Sequence, residues 1–584
     1  MGTGFTVDTA LRVARFGIAS VVALGDDTLL EQMRKYHAER LGLPYEPIGP
    51  KEEDARARRM TAYLDFLGDE VLRQVKALQA EPFEPGSDIT RYFEMLPESP
   101  LKADYQDMLA TSDPAERARK EDALRPRAVP GSVDVNIMAK ADADVFKGKV
   151  KLPPEYSLAM AAMRGYAESK HDSSIVLSAG MNPRLYGLMG RLDPFFPDEN
   201  GRLPKKIILK VSDYRSAEIQ GKYLAKKGLW VSEYRIESGL NCGGHAFATD
   251  GYLLGPILEE FRQNRPALID AAYGLYVKAL AARGGFQPTE PMPQRITVQG
   301  GIGTADENEF LQTYYRLDGT GWGTPFLLVP EVTNVDADHL EKLTKATEKD
   351  VYLSDSSPFG VPFWTLRHSE SEESKRRRIA SGKPGSPCTR GLLRLNNEFS
   401  EVSLCTASRA YLKKKLAELR GGSYTPEQLE VLEETALAKA CICVDLAGGA
   451  TKKHGIDPKA EPAVCCGPNI AYFSRTYSLE EMVGHIYGRI DLLANTVRSH
   501  MFVNELRLYL DHMRKEVSKF SLDLSSRSPK YFADFKANLL NGIDYYGGVA
   551  KEFAGSQRER FLKELEAIAQ ELETINVPAP VPAG

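Results

Sequence analysis

The sequence has no excess of charge of one sign: 75 basic against 80 acidic residues leave a formal charge of -5. That balance argues against a nucleic-acid or acidic-membrane partner, which an excess of positive charge would announce. No apolar run approaches the ~20 residues of a membrane span, and the N-terminus has no basic region followed by an apolar stretch and a cleavage site, so a cytoplasmic location is expected. Cysteine is scarce, seven in 584 residues, too few for a disulfide scaffold. Although 26 tyrosines and 23 phenylalanines are present, they do not interleave with basic residues as a base-stacking platform would. What is there, 42% hydrophobic and 27% charged residues, is the composition of a globular protein with a large core, and the length predicts two or three domains.

Residues 1–50 read as the start of an α/β unit, with an apolar stretch Phe16 to Leu24 and a helix opened by Asp26 and Asp27. Residues 51–130 read as a helical insertion, with Leu64, Leu67, Val71, Leu72 and Val75 at helical spacing. Over 131–368, short β-branched runs alternate with helical stretches: Val133 to Met138, Ile175 to Ser178, Ile207 to Val211, Trp230 to Ile236, Ile296 to Val298 and Thr324 to Val329. Such alternation predicts parallel strands joined by helices, and it leaves a closed barrel and an open doubly wound sheet equally open. Residues 369–387, charged and then rich in glycine, proline and serine, read as an exposed linker. A cysteine-rich region, 388–475, and C-terminal helices, 476–575, follow, with capping boxes at Thr425 and Ser478. The helix from Ser478, carrying Met482, Ile486 and Leu492, reads as a packing or homodimer helix, and 576–584 as a disordered tail.

Three glycine-rich segments carry the chemistry. In residues 296–310 a β-branched strand runs into Gly300-Gly301-Ile302-Gly303 and then a helix with Thr304 at its N-cap and Glu307 at N3. Glycines admit close backbone approach, and the free N–H groups of a helix start favour an anion, so this is a phosphate cradle in outline. One α/β repeat later, Gly323-Thr324 opens an apolar run; in a barrel the loops after the last two strands share a phosphate. Between 236 and 247, Gly243, Gly244 and His245 follow a strand end, where glycines suit a flat ligand and histidine can exchange a proton.

These segments, in this order, resemble the nitronate monooxygenase (2-nitropropane dioxygenase-like) family, which includes flavin-type enoyl-acyl-carrier-protein reductases. The resemblance covers roughly residues 3–335 and rests on Val133-Asp134-Val135-Asn136-Ile137, Asn241-Cys242-Gly243-Gly244-His245, Gln299-Gly300-Gly301-Ile302 and Gly323-Thr324-Pro325-Phe326-Leu327. It implies an FMN-binding α/β fold, a (β/α)8 TIM-type barrel here carrying the helical insertion and a mostly helical C-terminal domain. It also implies that Asn136, Gly243, Gly244, Gly300, Gly301, Gly323 and Thr324 contact FMN, with His245 near the reactive face. Lys210, at the end of the strand IILK, is a further candidate for a charge beside the flavin ring. The chain departs from the family pattern at Phe247, where a glycine is usual, and at Asn241-Cys242, which replace an acidic-alanine pair. The substrate pocket is therefore not expected to be that of a simple nitronate oxidase.

Six of the seven cysteines fall between Cys388 and Cys466. Turns and helix ends surround Cys388, Cys405, Cys441, Cys443 and Cys465, and soft ligands without a histidine point to an iron–sulfur cluster or to structural zinc. Flavin chemistry tilts the choice to iron–sulfur, and some relatives of the flavin-type enoyl reductases combine FMN with a [4Fe-4S] cluster. Four ligands are expected from these five cysteines, with Cys466 the spare. The expectation is an FMN-dependent oxidoreductase acting on an unsaturated or oxidisable carbon acid, such as an acyl thioester, with an electron-transfer partner. A nitronate oxidase and a flavin-free, zinc-bearing phosphate barrel remain the alternatives.

Overall fold

The computed structural model describes residues 3–148, 150–243, 250–493 and 497–577. Seven parallel strands form one sheet: β1 (Ser20–Ala23), β2 (Val133–Asn136), β3 (Ser173–Leu177), β4 (Lys205–Val211), β5 (Val231–Glu237), β6 (Arg295–Gln299) and β7 (Gly319–Gly321). Each pairs with the next in sequence, so every crossover advances one place, which is the winding of a barrel rather than of a doubly wound sheet. The expected barrel-type α/β fold is thus present, with seven strands in this sheet among the described residues.

Local signals explain the elements. Asp26 caps the helix Asp27–Leu41 by accepting from the N–H groups of Thr28 and Leu29, and Gly42 ends it at φ +65°. The 26-residue helix Ala55–Ala80 of the insertion buries Met60, Tyr63, Leu64, Leu67, Val71 and Val75 on one face. It lies against the helix Leu158–Glu168, where Gly165 has no room for a side chain: a Cβ there would meet the Ala57 carbonyl at 2.4 Å.

Two stretches differ from the sequence expectation. Residues 324–329 read as a strand, yet Thr324–Leu328 is a 3-10 turn and the strand is Gly319–Gly321 just before it; Pro325 removes the N–H a ladder needs. Residues 369–387 read as a linker, yet Glu370–Ala380 is a helix that buries Ser371, Glu372 and Ser374. Its acidic first turn and basic last turn match the helix dipole, which a reading of composition alone passes over. The capping boxes at Thr425 and Ser478 are both formed.

The helices Met501–Ser521, Pro529–Val549 and Gly555–Glu573 pack on one another and on the sheet's outer helices, with Phe502 stacked on Tyr546 at 4.6 Å between ring centres. The N-terminal segment is locked to the cysteine-rich region through Asp8, which accepts from Asn334 Nδ2 at 2.6 Å and lies 3.0 Å from His37 Nε2 and 3.6 Å from His454 Nε2. Among the described residues no helix is long and apolar enough to cross a membrane.

Candidate functional site at the mouth of the sheet

Parallel strands all end on the same side, so the C-terminal ends of β2 to β6 place Asn136, Ser178, Lys210, Glu237 and Gln299 around one mouth. Along β5, Tyr234 and Ile236 join the outer apolar core while the alternating residues Glu233, Arg235 and Glu237 meet polar side chains of neighbouring strands. Arg235 bonds Glu233 at 2.8 Å and reaches Asp134 of β2 at 3.4 Å, and the Thr297 hydroxyl donates to Glu233 at 2.6 Å. Burial raises the Asp134 carboxyl above its ordinary value in spite of that arginine.

At the top of this polar column, Glu237 is a hub. Its Oε1 accepts from Lys210 Nζ at 3.1 Å, Asn241 Nδ2 at 2.9 Å and Gln299 Nε2 at 2.9 Å, with only 1% of the side chain exposed. A carboxylate taken from water at such a depth needs a cation and hydrogen bonds together. Lys210, read from sequence as a lone charge, therefore works as half of an ion pair. Glu237 and Gln299 were missed, although both stand at strand ends in phase with the inward-facing residues.

Asn136, Lys210 and Glu237 line a cavity that also takes in Ser178 and Cys443, under an apolar roof from Phe359, Phe363 and Leu393. Among the described residues, the Ser178 hydroxyl is buried there with no hydrogen-bond partner. Asp26 also faces the cavity; burial raises its carboxyl, although Arg390 Nε stands 3.5 Å away.

The glycine loops after β6 and β7 lie side by side, since Gln299 pairs with Gly321. Gly300 and Gly301 have φ of +102° and +82°, and a Cβ on either would come within 2.7 Å of Asn241 or Leu240 in the loop after β5. Glycine is thus required for loop to press on loop. The helix Ala305–Thr313 is capped by Thr304, while Glu307 accepts from the Gly303 N–H at 2.8 Å. The C-terminal region grips the same loop: Arg498 pairs with Glu307 at 2.7 Å and donates to the Gly301 carbonyl at 2.5 Å, Asn469 donates to Gly301 and Ile302, and His485 bonds the Gly303 carbonyl. Burial alone would raise Glu307, but Arg498 and the hydrogen bonds hold it below its ordinary value. Thr324 accepts from the Gly467 N–H at 2.9 Å. The loops therefore lie together, with the Gly303 N–H and the Thr324 hydroxyl engaged by the chain itself. Gly243 stands in the adjoining loop at φ +85°; Gly244 and His245 lie outside the described residues.

Cys388, Cys405, Cys441 and Cys443 share one small apolar core and interact with one another, Cys388 with Cys405 and Cys441 with Cys443 as close pairs. The hydrogen bond from Cys405, followed by the Arg394 guanidinium, lowers the Cys388 thiol to about 6, and the bond from Cys443 lowers Cys441 to about 7. Cys405 and Cys443 are pushed up in return. Among the described residues only Asp336, Asp338 and His339 bring three ligand atoms within 4.8 Å of one another, so the thiols stand as two close pairs. Cys465, the fifth candidate ligand, lies in the same small core and is hydrogen-bonded to Cys242.

No protein-family model and no curated protein matches the chain. Among solved structures, the chain is similar to FabK from Thermotoga maritima, at 12% identity and a TM-score of 0.31, over 68% of this chain and 86% of that one. It is also similar to the enoyl reductase domain of MlnA from the macrolactin biosynthesis cluster of Bacillus amyloliquefaciens, at 13% identity and a TM-score of 0.33, over 69% and 89%. At these values neither neighbour's activity passes to this chain, and the function has to be argued from the site.

Proposed function

We propose that the chain is an FMN-dependent oxidoreductase with an iron–sulfur centre on Cys388, Cys405, Cys441 and Cys443. One observation carries the reading: Cys443, a member of the four-thiol group, lines the same cavity as Asn136, Lys210 and Glu237. A thiol-rich centre opening onto a polar-floored mouth is an arrangement for passing electrons, and a purely structural metal would gain nothing from it.

The residues present fit the flavin. The cavity joins an apolar lining to a few polar groups, as a cofactor site does, the buried Ser178 hydroxyl supplies a polar group for a ligand edge, and the loops at Gly300-Gly301 and Gly323-Thr324 stand at the same end of the sheet for a phosphate. They also fit the cluster, since four buried thiols share one small core and two of them are shifted toward the thiolate. When bound, FMN would supply hydride chemistry and the cluster single-electron transfer.

The chain's own part is to bind, orient and keep dry. Asn136 and Ser178 orient the ligand edge, the Lys210–Glu237 pair sets a fixed dipole beneath it, and Phe359, Phe363 and Leu393 exclude water. His245 is the candidate proton donor by its place after Gly243 and Gly244. The apolar roof suits a carbon-acid substrate with an aliphatic body, such as an acyl thioester. The test is titration of flavin-depleted protein with FMN, followed by quenching of flavin fluorescence. One equivalent should saturate the chain, and Ser178→Val should weaken binding about tenfold, the worth of one hydrogen bond; absence of saturable binding overturns the flavin reading.

A further inference from the structure

Three cysteines stand outside the four-thiol centre: Cys242, Cys465 and Cys466. Cys242 follows β5 in the loop on which the glycines of the β6 loop press, and it is partly exposed. The segment 464–467 crosses the top of that loop and is seated there: the Gly467 N–H donates to Thr324, and a Cβ on Gly467 would lie 3.0 Å from the Leu240 carbonyl and 3.8 Å from the Cys242 nitrogen. On the other side of the contact, a Cβ on Gly243 would lie 3.7 Å from the Cys465 sulfur. The tight seat of Gly467 on the loop, with Gly243 in van der Waals reach of the Cys465 sulfur, thus holds the two thiols together.

Adjacent cysteines divide the work. Cys465 faces the cysteine-rich core and Cys466 the opposite apolar core, with Leu240, Ile470 and Met482; Cys465 hydrogen-bonds Cys242, while Cys466 acts on it through charge alone. The contact between Cys242 and Cys465 is a hydrogen bond between the thiols, and this bond, with burial, keeps Cys465 protonated. The S–H of the buried residue is therefore available to steady a thiolate on the accessible one.

We propose that Cys242 and Cys465 form a redox-active dithiol that closes to a disulfide by exchange with a small-molecule disulfide, partly exposed Cys242 attacking and buried Cys465 resolving. In the first step the Cys242 thiolate bonds to one sulfur of the small disulfide, the S–S bond breaks, and one thiolate leaves. In the second, Cys465 passes its proton to the departing small thiolate as its sulfur attacks Cys242, the mixed disulfide breaks, and the second small thiol leaves. Two cysteine thiols are oxidised and one small disulfide is reduced to two thiols, so atoms and electrons balance. Closure ties the loop after β5 to the segment that holds Thr324, stiffening the mouth of the cavity. The site goes beyond the flavin reading and does not depend on it.

The test uses the full-length protein as purified without oxygen, treated with oxidised glutathione, alkylated, digested and mapped without reductant. The expected result is a peptide linked Cys242 to Cys465, two hydrogens lighter than its reduced parts and abolished by a reducing agent. Cys466→Ser should give the same link, whereas Cys465→Ser should trap glutathione on Cys242. Wild-type protein in which Cys242 stays free or keeps its glutathione, or in which Cys465 is joined to Cys466, overturns the proposal. Because peptides are read and not activity, failure of the flavin reading leaves this result unaffected.

Discussion

Arg498→Met tests whether the C-terminal region holds the glycine loop after β6 by a buried charge. Arg498 and Glu307 have side chains 5% and 2% exposed, 2.7 Å apart. Removing one partner of such a pair typically costs about 3–5 kcal/mol, because the other charge is left buried. Glu307 would keep the N–H groups of Gly303 and Met501, which sets the expectation at the lower end, about 3 kcal/mol. Equilibrium urea unfolding can be followed by tryptophan fluorescence, since Trp322 packs edge-on to His485 in the same network. The pH dependence is a second reading. The folded Glu307 value lies below the ordinary 4.5, so the pair's stabilisation is full above 4.5 and is lost as pH falls through the lowered value. In Arg498→Met, burial without a cation pushes the same carboxyl up, so the penalty shrinks on going from about pH 7 to about pH 4. A penalty below about 1 kcal/mol, the worth of an exposed pair, or one that does not change with pH, would refute the reasoning.

Gly300→Ala places a Cβ 2.7 Å from the Asn241 backbone at a φ of +102° and should unfold the site or cost more than about 2 kcal/mol, whereas Gly274→Ala, in open space within the helix Leu254–Arg283, should raise stability by about 0.5–1 kcal/mol; thermal melts compare them. Glu505 is fully buried, where it caps Leu254 and binds Ser238 and Gly239, and burial raises its carboxyl from 4.5 to about 7. Folded chains hold that proton while unfolded ones lose it, so stability should fall by about 3 kcal/mol as pH rises from 4.5 to about 7, a slope that Glu505→Gln should flatten in a pH series of melting midpoints. Cys443→Ser should lose most bound iron while Cys466→Ser keeps it, as measured by elemental analysis; equal retention by both would remove Cys443 from the ligands.

Much of the scaffold was legible because local chemistry decided it. Asp26, Thr304, Thr425 and Ser478 announce helix starts and cap them in the structure, and five of the β-branched runs became strands of the sheet. The floor of the site was harder to read, because in VSEYRIE the charged residues look like the solvent face of an ordinary amphipathic strand. The curl of the sheet turns that face inward, where Glu233, Arg235 and Glu237 must neutralise partners from other strands. Lys210 could be picked from its strand end, but Glu237, which fixes its charge, could not be paired with it without the register. The cysteines pointed to a thiol-rich region by their clustering. Dividing them between the four-thiol group and the Cys242–Cys465 contact required the fold, since spacing says nothing about which loops return to the same place.

The central claim is that flavin and an iron–sulfur centre share one cavity. The most direct measurement is the absorption spectrum of protein purified without oxygen, followed by acid release and assay of FMN, iron and sulfide. The account predicts flavin bands over a broad iron–sulfur shoulder, with iron and sulfide released in near-equal amounts alongside FMN. A featureless spectrum with stoichiometric zinc would contradict it.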